Sequence, residues 1–227
     1  MERADRHAAP KMAGAVLHSA ARYDLQVWLL TLGREWVFRE KLLRLAHLAP
    51  DDSVLDVGCG TGALAIAAKR HVGPKGTVCG IDASPEMLAR ANKKAKKAGV
   101  AVVFKHAYAQ ALPFPDAQFD AVLRTLMLHH LPRKAREQCV REMRRVLKPG
   151  GRVLAVDFAA AGREQPGLLA RFHRHGHIDL DAITPLLGEV GFTVVESGAV
   201  GFRDLQFALA ASDRPRDHAI ADSETNQ

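Results

Sequence analysis

The sequence predicts an α/β fold: a doubly wound, mostly parallel seven-stranded sheet with helices on both faces and a helical cap at the N-terminus. Three observations carry that expectation. From Ser53 onward, short strand-like runs alternate with segments of helical period, the pattern of a parallel sheet buried between helices. A glycine-rich stretch, Asp56-Val57-Gly58-Cys59-Gly60-Thr61-Gly62, stands between the first strand and the first helix of that alternation. Ahead of both, apolar residues recur at three and four between Ala20 and Ala49 (Leu25, Trp28, Leu29, Leu32, Trp36, Val37, Leu42, Leu43), with Gly33 as a break. That spacing predicts one or two amphipathic helices.

The elements follow in order. Val54-Leu55-Asp56-Val57 is the first strand, and the glycine stretch opens a helix over 62–71. A strand over 77–81 leads to a helix over 85–98, whose start, Ser84-Pro85-Glu86, pairs an N-cap residue with a proline in the first turn. Strands over 101–104 and 119–124, a helix over 133–147, a strand over 151–157, a helix over 181–190 and strands over 192–196 and 202–210 complete the alternation. The folded domain is expected over 13–211, with 13–50 as the cap and 160–180, carrying Leu168, Leu169 and Phe172, as a substrate-facing lid. Residues 1–12 and 212–227 lack an apolar period and read as flexible tails.

Composition narrows the class. The 227 residues are 48% hydrophobic and 25% charged, enough for one sizeable core. The longest apolar runs fall far short of the roughly 20 residues that span a bilayer. Met1-Glu2-Arg3-Ala4-Asp5 lacks a signal-peptide core, so a cytoplasmic location is expected, and contact with a membrane surface is not indicated. Cys59, Cys79 and Cys139 form neither a disulfide framework nor a Cys-x-x-Cys metal site. The excess of 32 Lys and Arg over 25 Asp and Glu matters for nucleic acid only if it clusters on one face. Lys93, Lys94, Lys96 and Lys97, and likewise Arg133, Lys134, Arg136, Arg141, Arg144 and Arg145, fall in helical segments that keep an apolar stripe, so they read as solvated helix faces.

The glycine stretch is a ligand loop, because residues without a Cβ let backbone approach a ligand at this point of a Rossmann-like fold. Gly58, Gly60 and Ala63 also satisfy the dinucleotide fingerprint. Asp56, however, would oppose a pyrophosphate at the helix N-terminus, whereas a ligand bearing an ammonium and a sulfonium gains from that carboxylate. S-adenosylmethionine is such a ligand. Asp82, at the end of the second strand, can accept hydrogen bonds from ribose hydroxyls of either cofactor. The alternative for Asp82, capping the next helix, is better filled by Ser84.

These blocks, together with Gly80-Ile81-Asp82-Ala83-Ser84-Pro85-Glu86-Met87-Leu88, Ala111-Leu112-Pro113-Phe114-Pro115-Asp116, Phe119-Asp120 and Arg144-Arg145-Val146-Leu147-Lys148-Pro149-Gly150-Gly151-Arg152, resemble the class I S-adenosylmethionine-dependent methyltransferases. With Arg22-Tyr23-Asp24-Leu25 they look most like the ubiquinone/menaquinone C-methyltransferases and the related phospholipid N-methyltransferases. The resemblance implies that Asp56, Gly58, Gly60 and Gly62 hold the methionine part of the cofactor; Tyr23 either reaches its carboxylate when the helical cap closes over the site or is an ordinary half-buried aromatic. It implies that Asp82 holds the ribose and the backbone at Ala109 with its neighbours the adenine, with Ala83 and Thr125 also among the cofactor-binding residues. The usual Gly-Asp-Ala of the adenine block reads Ala107-Tyr108-Ala109 here, so either Gln110 or Tyr108 replaces the missing acid, or affinity is lower. Met87 and Leu88 either cover the adenine or pack their own helix.

The sulfonium methyl is already activated, so in-line transfer asks the protein for positioning, water exclusion and, for some acceptors, a base. His129 and His130 follow the fourth strand at the sheet's carboxyl edge; at most one acts as that base, and packing before Pro132 is the alternative for His130. His173, His175 and His177 alternate near Asp179 without completing a ligand set, so no metal is expected. No Asn/Asp-Pro-Pro-Tyr follows the fourth strand, which argues against DNA as the acceptor. A small, partly apolar methyl acceptor is the leading expectation; an RNA methyltransferase, or a non-catalytic S-adenosylmethionine-binding regulator suggested by Tyr108, are the alternatives. The sequence does not set the oligomeric state.

Overall fold

A computed structural model describes residues 29, 31–126, 132–158, 180–202 and 204–213. Its elements are α1 (Glu35–Leu45), β1 (Ser53–Val57), α2 (Ala63–Val72), β2 (Thr77–Asp82), α3 (Pro85–Ala98), β3 (Val103–His106), β4 (Phe119–Thr125), α4 (Arg133–Val146), β5 (Leu147–Phe158), α5 (Leu180–Glu189), β6 (Phe192–Ala199) and β7 (Leu205–Ser212). The seven strands form one sheet in the order β3-β2-β1-β4-β5-β7-β6. β1 pairs in parallel with β2 and β4, and β4 with β5, while β7 runs antiparallel between β5 and β6. The chain winds from β1 out to β3 and then crosses back to β4. That reversal puts a crevice at the carboxyl ends of β1 and β4, where open α/β sheets bind ligands.

Both faces of the sheet are covered, which is why its central strands read as apolar runs. On one face Leu42, Leu43, Ala65 and Ala68 of α1 and α2 pack with Leu123, Val156 and Phe207. On the other, Cys139, Val140, Met143 and Val146 of α4 pack with Leu55, Val122 and Val153. The basic runs sit as their period suggests: Lys93, Lys96 and Lys97 are exposed while Ala91 and Ala95 of the same helix are buried.

Two expectations need correction. The apolar stripe of the cap faces inward through Phe38, Leu42 and Leu43, whereas Leu32 is 77% and Trp36 70% exposed. The reason is the break at Gly33: Leu32 and Gly33 both have positive φ (52° and 74°), so α1 starts at Glu35. Its inward face is then set by Phe38 and Leu42, four residues apart, with Trp36 on the other side. Ser212, which composition assigns to the C-terminal tail, is the buried last residue of β7. Its hydroxyl donates to the Lys148 carbonyl at 2.9 Å, so a polar residue closes the strand without an unmet hydrogen bond. Among the described residues no helix is long and apolar enough to cross a membrane.

Candidate active site at the carboxyl edge of the sheet

The loop after β1 folds over the end of β2. Gly58 and Gly60 have φ of 74° and 52°, a region that a Cβ disfavours. The Gly58 and Cys59 amides both donate to the Ile81 carbonyl at 2.9 Å. The Gly60 amide donates to Asp82 Oδ2 at 2.8 Å, and the Ser84 amide to Asp82 Oδ1 at 2.9 Å. Each carboxylate oxygen keeps capacity for a further donor such as a ribose hydroxyl. Ser84 Oγ accepts from the Met87 amide at 3.3 Å, so Ser84 caps α3, as its sequence suggests.

Gly62 has a different task. Its φ is 76°, and a Cβ built there would stand 2.7 Å from both Ala91 Cβ and Phe104 Cζ. Close packing of α2 against α3 and β3 therefore demands glycine at 62, independently of any ligand.

Asp56 ends up inside. Its side chain is 1% exposed and its Oδ2 has no hydrogen-bond partner. Burial, reinforced by the charge of Asp82 and opposed by the Ala65 amide and Arg39, pushes its pKa up to about 7. It lines a cleft with Gly58 and Cys59 of the loop, Phe38, Arg39 and Leu42 of α1, and Thr125 and Leu126 at the end of β4. The cleft measures about 450 Å³ including its open mouth. An unmet carboxylate oxygen on such a wall suits a cationic group, which would satisfy the lone pair and draw the pKa back down. The residues present thus fit the ammonium and sulfonium of S-adenosylmethionine.

Along the neighbouring edge, the Ala107 amide donates to the Asp82 carbonyl at 3.2 Å, and His106 Nε2 lies 3.0 Å from the Ala83 carbonyl. Tyr108 forms an isolated bridge with Ala111 and meets the His106 ring edge-on, centroids 5.8 Å apart. Ala109 packs against the α4 side of the core, and Gln110 is half-buried. Met87 and Leu88 are both buried. The following block is anchored to α4: Arg145 donates to the carbonyls of Leu112 and Phe114 at 3.0 and 2.8 Å, and Glu142 accepts from the Leu112 amide at 2.7 Å.

The structure therefore brings Asp56, Gly58 and Thr125 into one cleft and joins Asp82 to it through Gly60. Tyr23, His129, His130, the histidines at 173, 175 and 177, and the segment 160–179 lie outside the described residues. Among the described residues no cluster of His, Cys, Asp or Glu could hold a metal ion. Sequence reasoning passed over Phe38, Arg39, Leu42 and Leu126 as cleft residues. Only the spacing of Phe38 and Leu42 offered a signal, because Glu35 and Arg39 look like an ordinary surface pair at i and i+4. It also passed over Arg124 and Asp157, which form a buried ion pair at 3.1 Å where β4 and β5 end.

A family model described as a methyltransferase domain matches residues 54–151. The chain is 37% identical over 169 residues to the demethylmenaquinone methyltransferase of Thermus thermophilus, covering 74% of this chain and 73% of that one. It is 38% identical over 152 residues to a ubiquinone/menaquinone biosynthesis C-methyltransferase of Pseudomonas entomophila, covering 66% of this chain but 59% of that protein's length. Among solved structures, a SAM dependent methyltransferase from Aquifex aeolicus superposes with a TM-score of 0.70 at 22% identity, covering 86% and 99% of the two chains. The cyclase SpnF superposes at 0.68 with 21% identity over 79% and 82%. At those identities the structural likeness shows the fold, which hosts more than one chemistry.

Proposed function

The chain belongs to the class I S-adenosylmethionine-dependent methyltransferases, and from that premise we propose that it methylates a ring carbon of a quinol-type small molecule. The observation that carries the reading is the identity to the Thermus demethylmenaquinone methyltransferase across 73% of that enzyme. The cleft agrees with it: Phe38, Leu42 and Leu126 give it apolar lining alongside the buried Asp56 carboxyl.

When bound, S-adenosylmethionine supplies a methyl group on a sulfonium, released as a thioether by in-line displacement. The chain's own residues do the rest. Asp56 Oδ2 takes the ammonium, Asp82 the ribose hydroxyls, and the glycine loop lets backbone lie close against the ligand. Tyr108, Ala109 and Gln110 border the adenine. One of His129 and His130 takes the proton of the acceptor's hydroxyl; the phenolate so formed pushes electron density to the neighbouring ring carbon, which accepts the methyl, the ring proton then passes to water as the ring regains aromaticity, and the regenerated phenolate recovers the proton from the histidine.

The test is transfer of labelled methyl from S-adenosylmethionine to a naphthohydroquinone with an unsubstituted ring carbon, alongside phosphatidylethanolamine and total RNA. Label on the ring carbon is expected. Label on RNA or the amine lipid would replace the acceptor class, and cofactor binding without transfer to any of the three would favour a non-catalytic binder.

A further inference from the structure

Thr125, at the end of β4, lines the cleft that holds the Asp56 carboxyl. Arg124, the residue before it, points to the opposite face of the sheet, where Val122 already packs against Cys139 and Val140 of α4. Arg124 is 0% exposed. Its Nη2 donates to Asp157 Oδ2 at 3.1 Å, while its Nε and Nη1 are buried without a partner. Asp157 is engaged by this contact and by the Phe158 amide, which donates to its Oδ1 at 3.1 Å. A second guanidinium comes from α4. β4 and β5 are parallel, so α4 between them runs back and its first turn stands at their carboxyl ends. Arg136, in that turn, lies on the sheet-facing stripe with Cys139, Val140 and Met143, and its Nε is also buried without a partner. Burial and, to a smaller extent, the Arg136 charge pull the Arg124 pKa down against Asp157. The first turn of α4 contains no acidic residue and no side chain caps it at Pro132; Glu137, just beyond, accepts from Arg133 Nε at 3.2 Å. Two guanidiniums and the positive end of a helix thus converge on one carboxylate. Buried donors left without acceptors are costly, and the group missing here is an oxyanion.

We infer that Arg124, Arg136 and the first turn of α4 bind an oxyanion carried by the methyl acceptor, a carboxylate or a phosphate, so that the acceptor is an acidic quinol-type molecule. The inference rests on the small-molecule reading above and narrows its substrate class. Arg136 is half-buried and its neighbours Arg133 and Lys134 are exposed, so the site is reached from the surface at the helix end. Arg124 and Thr125 are consecutive and face opposite ways, so a ligand lying across the end of β4 sets its acid on the Arg124 side and its ring on the cleft side. Guanidinium forks and helix-end amides both suit carboxylate and phosphate oxygens.

Calorimetric titration of the full chain tests this with naphthol, hydroxynaphthoate, which adds one carboxylate to it, and inorganic phosphate. The wild type should bind hydroxynaphthoate about 10- to 100-fold more tightly than naphthol, the range for charge-assisted hydrogen bonds. Arg136→Gln should bring the two ligands within about threefold of each other, and Arg136→Lys should recover part of the preference. Arg124→Met with Asp157→Leu, which removes the guanidinium together with its counter-charge, should abolish the preference as Arg136→Gln does. Retained S-adenosylhomocysteine binding certifies the fold of each variant, and if the double variant lacks it, Arg136→Gln decides. Equal affinity for naphthol and hydroxynaphthoate in the wild type, a preference that survives Arg136→Gln, or no binding of any of the three overturns the assignment. Phosphate bound through the arginines without tighter binding of hydroxynaphthoate would make this a site for a free ion and overturn the acceptor's part in it. Methyl transfer that fails with every acceptor while the arginine-dependent preference persists would remove the transferase reading and keep the oxyanion site.

Discussion

Asp82 braces the ligand loop through Gly60: the Gly60 amide donates to its Oδ2 at 2.8 Å while the Ser84 amide donates to its Oδ1 at 2.9 Å. One carboxylate thus fixes the loop against the end of β2, and in the proposed site it also accepts from the ribose hydroxyls. Asp82→Ala should weaken cofactor binding by about 1.5–3 kcal/mol, the range for hydrogen bonds to a charged group. If Asp82 holds the ribose, S-adenosylhomocysteine and methylthioadenosine should lose alike. Affinity unchanged by calorimetry would reduce Asp82 to a loop brace.

Gly60 and Gly62 separate binding from packing. Gly60→Val puts a branched side chain at φ 52° in the loop, and should abolish cofactor binding in a protein that still folds. Gly62→Ala drives a Cβ to 2.7 Å from Ala91 and Phe104. It should lower stability by about 1–3 kcal/mol, as overpacking does, while the folded fraction binds within a few-fold of wild type. Urea melts paired with titrations distinguish the two, and an equal loss of affinity in both variants would return Gly62 to the ligand.

Asp56 sets a pH dependence. Its pKa is raised from the ordinary 3.8 to about 7. Between those values the native protein holds a proton that the unfolded chain has released, so this group's contribution to stability falls as pH rises through that window. Ligand affinity should run the other way. The ammonium and sulfonium need the ionised carboxylate, so affinity should climb toward pH 7, with proton release on binding, and level off above it. The other charges at hand are Asp82, which opposes ionisation, and Arg39, which favours it; burial and both carboxylates keep the Cys59 thiol neutral. Asp56→Asn should flatten the profile in titrations from acid to neutral pH, and a wild-type profile already flat would mean that Asp56 is ionised throughout.

The parts of this site that could be read in the sequence are those written in local chemistry. Glycines at positive φ, Ser84 before Pro85, and a carboxylate at the end of each of two strands are signals a few residues long, and α3 spans 85–98 as its caps indicate. What escaped depends on distant partners. The antiparallel direction of β7 follows from its pairing with β5 and β6 and leaves no mark in its own residues. Arg39 reads as a surface charge until Phe38 and Leu42 fix which way α1 faces. Arg124, near the end of an apolar strand, has meaning only once Asp157 of the neighbouring strand is beside it.

That buried pair should matter for stability. Arg124 and Asp157 are 0% and 1% exposed, and Arg124 Nε and Nη1 have no partner, so burial already pulls the guanidinium's pKa down. Asp157→Ala strands the cation and should cost about 3–5 kcal/mol. Arg124→Met with Asp157→Leu should recover much of that, because an apolar pair of similar volume avoids desolvation. Urea unfolding of the single and double variants tests this; a double variant no better than Asp157→Ala would mean that the pair shapes the ends of β4 and β5 beyond balancing charge.

The proposed chemistry is tested at His129 and His130, which follow Thr125 and Leu126 of the cleft by only a few residues in the sequence. A ring-carbon acceptor becomes nucleophilic when a neighbouring hydroxyl loses its proton, and histidine is suited to take it near neutral pH. If one of the pair is the base, His129→Ala or His130→Ala should lower turnover by roughly 100-fold or more, the size of general-base catalysis, with cofactor affinity barely changed. The other substitution should be mild. In the wild type the rate should fall as pH drops below the histidine pKa, since protonation disables the base, and that fall should vanish in the damaged variant. Turnover within a few-fold of wild type for both variants, at saturating naphthohydroquinone, would leave positioning alone to do the work. The acceptor would then have to arrive already ionised, which its own pH profile would reveal as a limb at the phenol pKa in place of the histidine one.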